Sequence, residues 1–231
     1  MDKIFEKHGI LISPEAEELL EQYMDLILLW NEKMNLTAVT DRDQIIIKHF
    51  LDSLMLIKYE QLEGKTLIDI GTGAGLPGLV LKIAEDGLNV VLLDSLSKRI
   101  TFLDEVITRL GLKDVSAYHS RAEDGVREPG MRESFDIAVS RAVAKLGTLC
   151  EYCLPYVKVG GLFVAYKGPE YHEELTEAEA AMEALGAKLE KVEEFRLNSD
   201  HSRALVFIRK LSQTPSNFPR KPHIIAKKPI I

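Results

Sequence analysis

Residues 66–80 read Thr66-Leu-Ile-Asp-Ile-Gly-Thr-Gly-Ala-Gly-Leu-Pro-Gly-Leu-Val80 and carry the strongest structural signal in the chain. A short apolar run leads into Gly71, Gly73 and Gly75, and Pro77 then opens an amphipathic stretch. This order predicts a strand, a tight turn and a helix, because proline is tolerated at the first helical position. The three glycines permit positive φ angles and the close approach of a ligand. Such turns bind cofactors where the first strand of an open α/β sheet ends.

The bulk composition is ordinary for a soluble globular protein. The chain has 231 residues, 46% of them hydrophobic and 28% charged, enough for one sizeable domain with an extension or for two small domains. Its net charge is −7, but residues 211–231 contain four cations and no acid, which leaves −11 on the remainder. A basic tail on an acidic body still permits a polyanionic partner. Two cysteines and the lack of a membrane-length apolar run predict a cytoplasmic protein with no membrane partner.

Strands and helices alternate after residue 62, which is typical of a parallel sheet. The predicted strands are Leu67–Ile70, Asn89–Leu93, Val115–Tyr118, Phe135–Ser140, Gly161–Tyr166, Lys188–Arg196 and Arg203–Lys210. The predicted helices span residues 13–30, 43–58, 97–110, 145–154 and 170–185. The link between the last two strands is too short for a parallel crossover, so these strands must form an antiparallel hairpin. The continuous apolar run Ala204–Ile208 predicts that the final strand is buried within the sheet.

This pattern divides the chain into three parts. Residues 1–62 form a helical layer, residues 63–210 form the α/β domain, and residues 211–231 form a basic, proline-rich tail. Four prolines in the tail predict a segment that is extended on the surface or disordered.

Acidic residues follow three successive strands and suggest the kind of ligand. Asp69 precedes the glycine turn, Asp94 ends the second strand, and Glu123 follows the third. A carboxylate such as Asp94 can accept both hydroxyls of an adenosine ribose, and Glu123 can accept an adenine amino hydrogen. The three acids suit S-adenosylmethionine, which is cationic and lacks phosphate. A dinucleotide site is the alternative, but its Gly-x-Gly-x-x-Gly pattern would need glycine at Leu76.

Several separated motifs together resemble the small-subunit ribosomal RNA methyltransferase G family, also called glucose-inhibited division protein B. They are Asp69–Gly78, Leu93-Asp-Ser-Leu-Ser-Lys-Arg99, Ser140-Arg-Ala142, Trp30-Asn31, Asn35-Leu-Thr37 and His49-Phe-Leu-Asp-Ser-Leu54. The resemblance covers nearly the whole chain. It implies a Rossmann-like class I methyltransferase with a seven-stranded sheet, its last strand antiparallel, helices on both faces and an N-terminal helical extension.

The resemblance also implies a reaction and a set of cofactor contacts. The reaction is methylation of N7 of a guanosine in small-subunit (16S) ribosomal RNA with S-adenosylmethionine as the donor. The partner is then ribosomal RNA or the ribosomal subunit, and we expect a monomer. The implied cofactor contacts are Gly71, Leu76, Asp94, Ser95, Leu96, Ala122, Glu123 and Arg141.

The chemistry of guanine N7 needs no general base, because this nitrogen has an exposed lone pair and no proton. The enzyme has only to align N7 with the methyl group and exclude water. Arg141 follows the fourth strand, where it can orient guanine O6 or the cofactor carboxylate. Candidate RNA contacts are Asn35, His49, Asp52, Arg99, Lys167, Arg220 and Lys221. For each of them helix capping, core packing or simple solvation is the competing interpretation.

Cys150-Glu-Tyr-Cys153 has the Cys-x-x-Cys spacing of metal and redox motifs. Without a second cysteine pair it cannot complete a four-cysteine zinc site, and it lies inside a predicted helix. We therefore expect core packing and no metal. Two other functions stay open at this point: a nucleotide-dependent oxidoreductase, and a non-catalytic RNA-binding assembly factor on a methyltransferase fold.

Overall fold

A seven-stranded sheet organises the computed structural model, which describes residues 1–230. The strands are β1 Thr66–Ile70, β2 Asn89–Asp94, β3 Val115–His119, β4 Phe135–Arg141, β5 Val157–Lys167, β6 Ala187–Asn198 and β7 His201–Lys210. Their order in the sheet is β3-β2-β1-β4-β5-β7-β6. The first five strands pair in parallel, whereas β7 is antiparallel to both β5 and β6. The predicted hairpin and the buried position of the last strand are confirmed.

Helices cover both faces of this sheet. The α-helices are α1 Asp2–Glu6, α2 Pro14–Asn31, α3 Arg42–Ile45, α4 Asp52–Leu54, α5 Gly78–Ala84, α6 Ser97–Arg109, α7 Ala122–Gly125, α8 Leu146–Cys153, α9 Tyr171–Glu177, α10 Glu179–Ala184 and α11 Pro222–Lys227. Because side chains alternate along a strand, β1 contributes to two apolar cores. Leu67 packs with the N-terminal helices, whereas Ile68 and Ile70 pack with α8 and α10. No helix among residues 1–230 is both long and apolar enough to cross a membrane.

The N-terminal layer begins as its sequence predicts. The Ser13 hydroxyl accepts a hydrogen bond from the Ala16 amide at 3.1 Å, and Pro14 occupies the first turn of α2. The apolar core is continuous from this layer into the sheet. The division at residues 62/63 and 210/211 stays a prediction.

The helical stretch predicted over residues 43–58 is confirmed, but it is not one regular α-helix. The structure has α3, a π-helix over Ile46–Leu51, α4, and a 3₁₀ turn over Met55–Lys58. The wider π turn is accompanied by a local side-chain hydrogen bond, because the Ser53 hydroxyl donates to the His49 carbonyl at 2.6 Å. π-Helical turns are rare and are often found at functional sites. Here the turn carries Lys48 and His49 to the wall of a cavity.

Two further boundaries differ from expectation. The helix predicted over residues 170–185 divides at Ala178, whose amide is shared among the carbonyls of the last turn of α9. Strand β5 begins at Val157 instead of Gly161, with a register shift against β4 where Gly160 adopts a φ of 87°. Cys150 and Cys153 are fully buried free thiols, which confirms their packing role.

The tail is not extended or disordered as expected. Because proline has no backbone N–H, the tail can make few backbone hydrogen bonds of its own. Arginine side chains of the domain instead donate to the carbonyls of the tail. Arg132 donates to the carbonyls of Thr214 and Phe218 at 2.8 and 2.9 Å. Arg127 donates to the Pro219 carbonyl at 2.8 Å. These contacts, together with α11, hold the tail against the domain.

Candidate active site

The glycine turn leaves β1 with three positive φ angles: 72° at Gly71, 61° at Gly73 and 90° at Gly75. A Cβ added at Gly73 would find nothing closer than the Gly71 carbonyl oxygen, 4.0 Å away. Gly73 therefore presents bare backbone to the cavity that it lines. A Cβ at Gly71 would come within 2.5 Å of Val143 Cγ2, so the turn also packs closely against the loop after β4.

Gly75 and Asp69 support the glycine turn on its buried side. A Cβ at Gly75 would lie 2.7 Å from the Tyr23 hydroxyl oxygen, which bonds the Ala74 carbonyl. Asp69 is fully buried, and its Oδ2 accepts from the Thr72 hydroxyl at 2.7 Å and from the Gly78 amide at 2.8 Å. Burial raises the pKa of Asp69 to about 6. The expectation that Asp69 faces an amino-bearing ligand is wrong, because its carboxylate turns toward the positive end of α5.

This position of Asp69 bears on the kind of cofactor. Dinucleotide-binding folds place pyrophosphate on the amides at the start of the first helix. In this chain the Gly78 amide already donates to a carboxylate. A phosphate there would face a buried acid, so the turn fits a phosphate-free ligand and disfavours the oxidoreductase alternative.

The Asp94 carboxylate, at the end of β2, binds the glycine turn that follows β1 and the loop that follows β2. Oδ1 accepts from the Leu96 amide at 2.9 Å, and Oδ2 accepts from the Gly73 amide at 2.9 Å. The Arg99 guanidinium also lies 3.1 Å from Oδ2. Arg99, predicted as an RNA contact, thus lies beside Asp94, a predicted cofactor residue. A ribose hydroxyl at Asp94 Oδ2 would compete with Arg99, which is about one third exposed.

Two adjoining cavities follow the carboxyl ends of β1, β2 and β3. One has a volume of about 390 Å³ and the other about 160 Å³, and they share Gly71, Asp94, Ser95 and Val143. The larger also has Gly73, Leu76 and Arg141 in its wall, and the smaller has Ala122 and Glu123. Of the predicted cofactor residues, Asp69, Gly75 and Leu96 line neither cavity. Leu96 instead projects 53% exposed from the adjacent loop.

A third cavity of about 690 Å³ adjoins the 390 Å³ cavity through a shared wall made of His49, Arg141 and Ala142. Ala142 has a φ of 58°, which is costly for a residue other than glycine. Strain of this kind is concentrated at functional sites. Here it sets the direction of the loop directly after Arg141.

Arg141 is the residue that ties the shared wall to the N-terminal layer. Its Nη1 donates to Asp52 Oδ2 at 2.9 Å and to the Lys48 carbonyl at 3.3 Å. Burial raises the pKa of Asp52, and the charge of Arg141 opposes that rise. Burial, helped by the charge of Arg141, lowers the pKa of His49 to about 4. The His49 ring is therefore neutral at pH 7, and its Nε2 lies 2.7 Å from the Thr37 hydroxyl.

The six predicted RNA contacts other than Arg99 fall into three groups. His49, Asp52 and Lys167 line the 690 Å³ cavity, although Lys167 already pairs with Glu174. Asn35 is exposed in the loop after α2 and lines none of the three cavities, whereas its neighbours Leu36 and Thr37 do. Arg220 and Lys221 lie in the tail, outside these cavities.

Arg220 is engaged within the protein. Its guanidinium and its backbone amide bind the carboxylate of Glu151, which is 1% exposed, with guanidinium distances of 2.6–3.1 Å. The Arg220 side chain is 23% exposed, and its predicted contact with RNA stays a prediction.

Sequence reasoning missed the residues that support the site from a distance. Asn31 Oδ1 accepts from the amides of Leu36 and Thr37 at 2.7 and 2.9 Å and so holds the loop beside the cofactor cavity. Tyr23 supports the glycine turn, as described above. Tyr23 lies within the helix predicted over residues 13–30, and no local signal in the sequence indicated its hydroxyl partner.

Comparison with known proteins agrees with this geometry. The family model described as rRNA small subunit methyltransferase G matches residues 16–206. A protein named "Ribosomal RNA small subunit methyltransferase G" from Lachnoclostridium phytofermentans is 52% identical, over 96% of this chain and 93% of its own. One of the same name from Clostridium perfringens is 46% identical, over 100% of this chain and 97% of its own.

A solved structure supports the fold. The crystal structure of a SAM dependent methyltransferase from Aquifex aeolicus superposes with a TM-score of 0.55 at 19% identity. The superposition covers 78% of this chain and 97% of that one. Since the family model spans most of the sequence and the relatives cover nearly all of it, this chain belongs to the rRNA small subunit methyltransferase G family.

Proposed function

We propose that this chain transfers the methyl group of S-adenosylmethionine to N7 of a guanine in small-subunit ribosomal RNA. The observation that carries the proposal is the wall of His49, Arg141 and Ala142, which is common to the cofactor cavity and the 690 Å³ cavity. A donor held on one side and a base held on the other would meet there. Family membership supports the RNA substrate.

The residues of the two smaller cavities suit this cofactor. Gly73 offers open backbone, Asp94 offers carboxylate oxygens to ribose hydroxyls, and Glu123 lies buried where an adenine would be held. When bound, S-adenosylmethionine supplies a methyl group on a positively charged sulfur. The neutral His49 ring adds no positive charge to the shared wall.

The chain's own contribution to the reaction is position and electrostatics. Guanine N7 has no hydrogen, so no side chain has to remove a proton as the nitrogen–carbon bond forms and the sulfur–carbon bond breaks. Arg141, fixed by Asp52, is placed to orient the base or the amino-acid end of the cofactor. We further propose that the protein acts in the cytoplasm, where its ribosomal substrate is found, and that it acts there as a monomer.

The test is methyl transfer to small ribosomal subunits purified from cells that lack this protein. The RNA is digested after incubation with labelled S-adenosylmethionine, and we expect 7-methylguanosine at one position by mass spectrometry. Arg141→Ala should reduce the yield strongly. Labelled RNA without 7-methylguanosine, or no labelled RNA at all, would reject the proposal.

A thermal-shift comparison separates the two alternatives. A ligand that binds only the folded protein raises its melting temperature. S-Adenosylmethionine should do so and NAD should not, whereas an oxidoreductase would show the reverse. An assembly factor without activity would bind subunits and leave them unlabelled.

A further inference from the structure

A methyltransferase acting on purine N7 must distinguish guanine from adenine, because both bases carry that lone pair. The two bases differ at positions 6 and 1 of the ring system. Guanine presents the O6 acceptor beside the N1–H donor, whereas adenine presents an amino donor beside the unprotonated N1 acceptor. A site with one donor and one acceptor side by side would therefore attract guanine and repel adenine. This question rests on the proposed function.

The 690 Å³ cavity contains such a pair in its wall. Asp52 is 97% buried, and its Oδ1 has no hydrogen-bond partner among residues 1–230. The Arg203 Nε lies 3.9 Å from Oδ1, beyond hydrogen-bonding distance. Both side chains line the cavity. A buried carboxylate oxygen without a donor is costly, which makes it a strong acceptor for a ligand that enters.

The other oxygen of Asp52 is already committed. Oδ2 accepts from Arg141 Nη1 at 2.9 Å, a charge-assisted bond that holds the carboxylate in place. Arg203 projects from β7 and is about one quarter exposed, so its guanidinium is accessible to a base. Lys167 of β5 also lines the 690 Å³ cavity, but it is paired with Glu174. Arg203 is thus the donor that stands beside the free acceptor.

We propose that Asp52 and Arg203 read the edge of the target guanine, with Asp52 Oδ1 accepting from N1–H and the Arg203 guanidinium donating to O6. Arg141 then acts as a positioning residue that holds Asp52. Adenine in the same place would set its N1 lone pair against the carboxylate and its amino group against the guanidinium. The pair therefore specifies the base, while the shared wall aligns N7.

The decisive variant is Asp52→Asn. The amide oxygen must face Arg141, because an amide NH₂ cannot accept from a guanidinium. The NH₂ group then occupies the position of Oδ1 and offers a donor to the base. Guanine loses its contact, and adenine N1 gains one.

The experiment uses small subunits whose mapped target position carries guanosine, adenosine or inosine. For the wild-type enzyme we expect kcat/KM to be much higher for guanosine than for adenosine. Inosine should behave like guanosine, since it keeps O6 and N1–H and lacks only the 2-amino group. Asp52→Asn should lower the guanosine-to-adenosine ratio about 10- to 100-fold, the range of one base contact. Arg203→Ala should lower it about tenfold.

The matched control is Asp25→Asn, which removes a carboxylate from the exposed ion pair with Arg42 in the same N-terminal layer. It should leave the ratio unchanged. A merely structural role for Asp52 would lower kcat/KM for both purines equally, and that result would overturn the inference. Rejection of inosine by the wild type would also overturn it, because the contact would then be to the 2-amino group.

The two proposals fail separately. If the wild-type enzyme transfers no methyl group to subunits, the proposed function is wrong. If it methylates guanosine and both variants keep the wild-type ratio, only the base-reading pair is wrong. Arg203→Ala keeps the test decisive should Asp52→Asn fail to fold.

Discussion

The hydroxyl of Tyr23 donates a buried hydrogen bond to the carbonyl of Ala74, 51 positions along the chain. Tyr23 belongs to α2 in the N-terminal layer, and Ala74 lies inside the glycine turn. The ring also stacks on Phe50, with centroids 5.6 Å apart. One side chain thus connects the N-terminal layer, which carries His49 and Asp52, to the glycine turn of the proposed cofactor site.

Tyr23→Phe is expected to destabilise the protein by about 1–3 kcal/mol, because the Ala74 carbonyl would be left buried without a donor. We also expect weaker binding of S-adenosylhomocysteine by isothermal titration, since the turn would lose a support. Tyr59→Phe is the control, because the Tyr59 hydroxyl has no hydrogen bond within residues 1–230. Equal effects of the two changes would argue against a special role for Tyr23.

Gly73→Ala tests whether open backbone is needed for the ligand. Its φ of 61° makes alanine strained by about 1 kcal/mol, but the added Cβ has space within the protein. Gly111 has a φ of 63° and also nothing within 4 Å of an added Cβ. Gly111→Ala should therefore show the same loss of stability in urea while retaining cofactor affinity. Only Gly73→Ala should lose affinity, because its methyl group enters the cavity.

Arg99→Ala is expected to preserve cofactor binding or to strengthen it by at most about fivefold. The reason is that Arg99 and a ribose compete for Asp94 Oδ2, and a partly exposed ion pair contributes only about 0–1 kcal/mol. Asp94→Ala should weaken binding by tenfold or more, as about two charge-assisted hydrogen bonds are lost. Titration with S-adenosylhomocysteine measures both. A large loss of affinity in Arg99→Ala would show that Arg99 binds the cofactor itself.

His49 should make the protein less stable in mild acid. Burial lowers the pKa of His49 to about 4, whereas the unfolded value is about 6.5. Between these pH values the unfolded state binds the additional proton, so stability falls as pH falls. His49→Gln should reduce the loss of unfolding free energy between pH 7 and pH 5 by about 2 kcal/mol.

The comparison with His49→Gln is necessary because Asp69 acts in the opposite direction. Burial raises the pKa of Asp69 to about 6, so its contribution favours the folded state at low pH and is lost as pH rises through 6. Both proteins contain Asp69, and its effect cancels in the difference. An unchanged pH dependence in His49→Gln would mean that His49 titrates normally.

Arg220→Ala should destabilise the protein by about 3–5 kcal/mol, since Glu151 would remain as a buried, unpaired carboxylate. Lys221→Ala, one position further along, removes an exposed charge and should change stability little. Thermal denaturation compares the two. If Arg220→Ala were as stable as the wild type and bound RNA less tightly, the assignment of Arg220 to Glu151 would be wrong.

Local sequence patterns were sufficient to predict the strands of this protein and the way the last two pair. The alternation of apolar and polar segments located all seven strands, and the short link between Arg196 and Arg203 required an antiparallel hairpin. The glycine turn and Asp94 indicated a cofactor site, and separated motifs indicated the family. Such features depend on residues within one strand, one turn or one helix, so the sequence displays them directly.

Only the tertiary structure decided which donor faces which carboxylate. Asp52 and Arg141 are 89 positions apart, and Arg220 and Glu151 are 69 apart. A carboxylate in a sequence has the same appearance whether it binds a ligand, a helix end as Asp69 does, or an arginine. Its partner is chosen when distant segments pack together, because desolvation makes any unpaired charge costly. Sequence alone therefore determined the fold and the family, and packing determined the role of each acid.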